Sequence, residues 1–290
     1  PAVTAVFVCT ISRQHHAVCL AAIEAGKHVV CEKTLAISAQ EAREITLAAR
    51  RKGVLLFTSY MKRFFPATRK AAELLPELGE IFSTTVRTFQ PWGDLWTKLP
   101  ADLYRPDGMS NAKYSAGGGM LPQGGSHLLD VMMFLLGRPS RVFASFKLRP
   151  GLDFDLQTEA LMETPANGVI HFSAVAHPYK NNGPLHDGWD EQIVICGTRG
   201  RLELNYTFWD RFETLAPWVS FCDGATGESR TWHFAPMSPF AAADAAFCRW
   251  IGENTQGDMP PTTGDDVDCL SDALIRSGQG GQPVVPDWLD

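Results

Sequence analysis

The chain has 290 residues, 45% of them hydrophobic, and a formal charge of -6 at neutral pH. That balance gives no general attraction to nucleic acid or to an anionic membrane, and no apolar run is long enough to cross a bilayer. The length allows a sizeable core and predicts a soluble globular protein of two domains.

Residues Ala2 to Thr10 read as a strand covered on both faces, because the run is continuously apolar. Ser12 is placed to cap the helix that follows, which Gly26 ends. A second strand runs from His28 to Glu32. Ser38 and Glu41 form a capping box for a helix to about Lys52, closed by Gly53, and Arg50, Arg51 and Lys52 place cations at its C-terminus. Val54 to Ser59 is a third strand.

Strand, helix, strand, helix, strand at this spacing is one half of a doubly wound parallel sheet, with both helices on one face. No GxGxxG turn occurs anywhere in the chain. The sequence begins at Pro1 almost directly in a strand, which reads as a fragment lacking about 60 residues of such a sheet.

After Met61 the pattern changes. A helix from about Ala67 to Leu75 leads to a strand from Ile81 to Phe89, then to a long polar and aromatic loop with Trp92, Trp96 and Tyr104. Loops of this length tend to be lids or binding loops. Gly117 to Gly137 follows, reading GGGMLPQGGSHLLDVMMFLLG. Its helix, from about Leu128, is apolar all round and belongs inside the protein, so His127 enters the fold where water is scarce. His127 is a candidate proton carrier; the alternative is a core histidine tied to Asp130, three residues on and on the same helix face.

From Arg141 the chain reads mostly as antiparallel strands: 141–148, 156–163, 169–176, 191–196, 201–206, 218–222 and 231–234, interrupted by a polar loop at 177–188. Helices near 240–253 and 263–277 complete an α+β domain, with the boundary placed between residues 63 and 64. Seven cysteines in mostly apolar surroundings, without CxxC or metal-ligand spacing, read as buried free thiols in a reducing compartment, by default the cytoplasm. No metal is expected.

Four stretches together resemble the glucose-fructose oxidoreductase and inositol dehydrogenase family, Gfo/Idh/MocA: AVFVCTISRQHHAVCLAAIEAGKHVVCEKT (5–34), YMKRFFPA (60–67), GGGMLPQGGSHLLDVMMFLLGRP (117–139) and EQIVICGTRGRLEL (191–204). The resemblance implies a partial Rossmann domain followed by an α+β domain with a large open, mostly antiparallel sheet. NAD or NADP and a sugar, inositol or related polyol would meet between them, in a homodimer or homotetramer. Glu32, Lys33 and Thr34 match the family's Glu-Lys-Pro motif, and Thr10, Ser12 and His15 match its cofactor-contacting loop.

The implied chemistry is hydride transfer between a nicotinamide and a secondary alcohol. His127 carries the proton, and Lys33 orients and polarises the hydroxyl. Gln123 stands where catalytic relatives commonly carry Asp; it can bind a hydroxyl but holds no charge to raise the histidine's basicity. Thr34 in place of Pro is expected to loosen the turn that aims Lys33. Lys62, Arg63, Trp92, Asn182, His186 and Asp187 are candidate substrate contacts. A non-catalytic sugar- or dinucleotide-binding sensor of the same fold is the alternative function.

Overall fold

A computed structural model describes residues 3–92, 119–148 and 154–290. Trp96, Tyr104, Gly117 and Gly118 lie outside the described residues.

The N-terminal part is a parallel sheet of β1 (Ala5–Val8), β2 (His28–Cys31) and β3 (Leu56–Thr58), in that order. Its crossovers are α1 (Ser12–Glu24) and α2 (Ala39–Lys52), which pack on each other. One face of the sheet buries Val8, Val29, Cys31 and Leu56 with Cys19, Ile23, Ile45 and Ala49 of these helices. The capping box forms as the pattern predicts: Ser38 Oγ accepts from Glu41 N at 3.2 Å. Gly53 closes α2 with φ 67°, a left-handed turn that suits a residue without Cβ.

Three expectations for this part fail. Ser12 is not the cap of α1: Ile11 occupies that position and no side chain caps the turn. The first strand is shorter than its apolar run and is covered less completely, because β1 is the sheet's edge strand and Phe7 is 42% exposed. Cys9, just past its end, is likewise exposed, as is Cys248; the thiols of Cys19, Cys31 and Cys269 are buried, and all seven are free.

A 3₁₀ turn (Met61–Phe64) and α3 (Pro66–Leu74) lead into an eight-stranded sheet. Its strands are β4 (Ile81–Gln90), β5 (Arg141–Leu148), β6 (Asp155–Glu163), β7 (Val169–Ala176), β8 (Asp190–Gly197), β9 (Gly200–Tyr206), β10 (Trp218–Asp223) and β11 (Ser229–Trp232). Their order is β11-β10-β9-β8-β4-β7-β6-β5, antiparallel throughout except where β4 runs beside β7. Period-two alternation sends Val86, Ile170, Phe172, Ile193, Ile195 and Leu202 to one buried face.

That face is covered by α3 and by α4 (Ser126–Leu136), whose Leu128, Leu129, Val131, Met132 and Met133 are all buried. The opposite face leaves Phe143 42% and Leu161 46% exposed, side by side in register across β5 and β6.

Two C-terminal helices tie the sheets together. On α5 (Pro239–Gly252), Phe247 stacks on Phe57 of β3 with centroids 5.1 Å apart. α6 (Thr263–Gly280) packs on both α2 and β5, and Asp268 Oδ2 accepts from Ala36 N at 2.9 Å. The two sheets therefore meet across a narrow seam, and the site lies on it.

Candidate functional site

A cavity of ≈ 430 Å³ opens where the C-terminal end of β2 faces the inward side of the large sheet. Its wall includes Glu32, Lys33, Lys62, Gln90, Trp92, Gln123, Gly124, His127 and Trp189. Strand β2 ends at Cys31, so Glu32 and Lys33 lie at the carboxyl edge of a parallel sheet, where such sheets bind ligands. Glu32 Oε2 accepts from Lys33 N at 3.2 Å. Thr34 does not loosen this turn: it is buried, its hydroxyl donates to Ala36 O at 2.9 Å, and its carbonyl lies 2.7 Å from His15 Nδ1.

His15 is fully buried. Its other nitrogen lies 2.9 Å from Thr10 O, so the ring ties the loop after β1 to the loop after β2. Thr10, Ser12 and His15 are absent from the cavity wall; His15 shapes the edge from behind. A nicotinamide dinucleotide is compatible with this edge, because the uncapped start of α1 lies just past β1 and a carboxylate and an ammonium stand at the end of β2.

The second wall is built by an irregular helix. Pro122 and the pair Gly124, Gly125 make Leu121–Gly125 a π-helical turn directly before α4, and such turns recur at functional sites. It turns the Gln123 carbonyl toward the other sheet, where Lys33 Nζ donates to it at 2.8 Å. His127 sits in the first turn of α4, edge-on to Tyr60 at 6.0 Å between centroids, and its Nδ1 is buried without a hydrogen-bond partner. Burial, and then the Lys33 and Lys62 ammoniums, hold His127 well below the ordinary histidine pKa, so the ring is neutral at pH 7. Burial also lowers Lys33 to about 8, with Glu32 opposing and Lys62 adding to the shift.

The tie between His127 and Asp130 does not form. Asp130, fully buried, is held by Arg63: Nε lies 3.0 and 2.8 Å from its two oxygens, and Nη2 lies 2.6 Å from Oδ1. Arg63 is absent from the cavity wall in this structure; it joins the 3₁₀ turn to α4. Its neighbour Lys62 points into the large sheet, where Glu191 accepts from its ammonium. Glu191 Oε1 also accepts from Thr88 Oγ1 at 2.6 Å and Gln90 Nε2 at 3.0 Å, and Gln90 Oε1 accepts from Trp92 Nε1 at 2.9 Å.

Sequence reasoning missed Gln90, Trp189 and Glu191. The signal was present: Thr88, Gln90 and Glu191 occupy inward positions of strands, where the alternation otherwise places apolar side chains. Asn182 and His186 are not brought to the cavity. Asn182 borders a separate shallow surface hollow with Tyr179 and Lys180, His186 is exposed at φ 54°, and Asp187 accepts from Trp189 N.

Among the described residues no group of histidines, cysteines and carboxylates could hold a metal, and no helix is long and apolar enough to cross a membrane.

Comparison with known proteins gives the same outline. Residues 1–60 match an oxidoreductase family with an NAD-binding Rossmann fold, and residues 68–203 match the GFO/IDH/MocA C-terminal domain. D-xylose 1-dehydrogenase (NADP(+)) 2 of Haloferax volcanii is 30% identical over 276 residues, 92% of this chain and 75% of that protein. D-glucoside 3-dehydrogenase of Escherichia coli is 36% identical over 137 residues, which span 47% of this chain but only 36% of that relative. A levoglucosan dehydrogenase in complex with NADH and levoglucosan superposes with a TM-score of 0.80 at 21% identity, over 99% of this chain and 81% of the other, a likeness of fold.

Proposed function

The chain belongs to the GFO/IDH/MocA oxidoreductase family, and we propose that it serves as an NAD(P)-dependent dehydrogenase of a sugar, inositol or related polyol. The observation that carries this reading is the meeting, in one cavity, of Lys33 from the parallel sheet and a neutral, unpartnered His127 from the helix over the large sheet. A bound nicotinamide supplies the hydride acceptor.

The chain's own groups do the rest. Neutral and on the cavity wall, His127 offers one ring nitrogen as an acceptor for the proton of a substrate hydroxyl. Lys33, at about 8, is still mostly ammonium at pH 7 and stabilises the alkoxide as it develops. Its bond to the Gln123 carbonyl holds it across the seam, and the Gln123 amide binds a neighbouring hydroxyl. Residues 1–63 hold the cofactor and reach the substrate through Lys33 and Lys62, and residues 64–290 supply the rest of the substrate pocket. The relatives that are dehydrogenases of xylose and of glucosides support a carbohydrate substrate.

His127→Ala tests the assignment: kcat falls by about 10² to 10⁴, while sugar binding measured by calorimetry persists. Near-normal turnover would remove His127 from the mechanism. The exposed apolar face carrying Phe143 and Leu161 supports a homodimer or homotetramer, and seven free thiols suit a reducing compartment such as the cytoplasm.

A further inference from the structure

The cavity wall carries the ammoniums of Lys33 and Lys62 and the indoles of Trp92 and Trp189. Trp189 is 5% exposed and lines it, yet its Nε1–H has no partner. A buried donor left unpaired costs stability, so one that persists on a cavity wall points to a ligand that supplies the acceptor. Lys62 Nζ lies 5.8 Å from the centroid of the same indole ring. Of its three donors it shares one with Glu191. Lys33 bonds a neutral carbonyl and no carboxylate oxygen.

The acceptors of Glu191 and Gln90 are already in use. One oxygen of Glu191 faces Lys62, the other receives Thr88 and Gln90, and the Gln90 oxygen receives Trp92. Glu32 belongs to the cofactor edge. At position 123, where the family resemblance leads one to expect an acid, the chain has an amide. Beside the Gln123 amide and the neutral His127 ring, the substrate end holds two ammoniums and an indole N–H, set against one carboxylate whose oxygens are both occupied.

We infer that the substrate carries a carboxylate, as a hexuronate or an aldonate does, and that the Lys62 ammonium and the Trp189 N–H receive it. The inference rests on the dehydrogenase reading of the same cavity and narrows its substrate to sugar acids. It also accounts for Gln123. Burial and then both ammoniums lower the basicity of His127, and no acid offsets them. A substrate carboxylate beside Lys62 supplies the missing negative charge and makes His127 a stronger base only when the correct substrate is in place.

The test compares D-glucuronate, D-galacturonate and D-gluconate with D-glucose, D-galactose and D-glucitol. Binding is measured by calorimetry and turnover by nicotinamide absorbance, with NAD and with NADP. At least one acid is expected to bind about tenfold or more tightly than its neutral counterpart, as one charge-assisted hydrogen bond allows. Trp189→Phe keeps the ring and removes the donor, and Lys62→Gln keeps a bond to Glu191 and removes the charge; each is expected to lower that ratio by about tenfold. Equal binding of acids and neutral sugars, or a ratio unchanged in both variants, overturns the proposal. Turnover of neutral sugars with no acid bound overturns it and leaves the dehydrogenase reading standing. Acid binding that depends on Trp189, with no nicotinamide reduced, upholds the subsite and removes the dehydrogenase reading.

Discussion

Replacing Arg63 by Met separates a structural role from a substrate-binding one. Arg63 and Asp130 are both buried and joined by three short contacts of 3.0, 2.8 and 2.6 Å. Removing the guanidinium leaves a carboxylate inside α4 with no counter-charge, a change that costs about 3–5 kcal/mol. At about 3 kcal/mol per molar, the urea midpoint drops by about 1–2 M. The partner variant Arg63→Met with Asp130→Leu takes both charges out of the core and is expected to recover most of that loss, because an apolar pair of similar volume avoids the desolvation that the ion pair must offset. The assay is urea unfolding of the wild type, the single and the double variant, alongside KM and kcat at a temperature where all three are folded. A midpoint that stays in place while KM rises would refute the reasoning and return Arg63 to the substrate.

The acid limb of kcat/KM should lie below the ordinary histidine value of about 6.5, because a lowered His127 keeps its neutral, proton-accepting form to lower pH. Removing a neighbouring cation with Lys62→Gln should move that limb upward; a pH profile with the limb unmoved would show that another group sets it. Gly124→Ala would bring a Cβ to 2.6 Å from Gln90 Nε2 and 2.7 Å from Gln90 Cδ. Since the far end of Gln90 can shift, the expected result is a loss of about tenfold in kcat/KM through the Gln90 contacts to Glu191 and Trp92, with the fold retained by circular dichroism. Light scattering at micromolar concentration should give at least a dimeric mass, and Phe143→Lys with Leu161→Lys should shift it toward the monomer; a monomeric wild type contradicts the role given to that face.

Local patterns carried much of the fold. Apolar strands separated by capped helices of crossover length imply a parallel sheet, and the change to period two after Met61 implies an antiparallel one; both depend on neighbours in the chain. Lys33 and His127 were legible for the same reason, one at a strand end and the other at the mouth of an apolar helix. What only the tertiary structure decided is which charged group meets which. Lys62 and Arg63 are adjacent in sequence, yet the 3₁₀ turn sends one to Glu191 and the other to Asp130. His186 and Asn182 sit in a polar loop that suits a binding role, but that loop borders a different hollow. Trp189, with nothing local to distinguish it, becomes a cavity wall with an unpaired donor. Such pairings are set by burial from both sheets at once, and burial from a distant segment leaves no trace in the spacing of nearby residues.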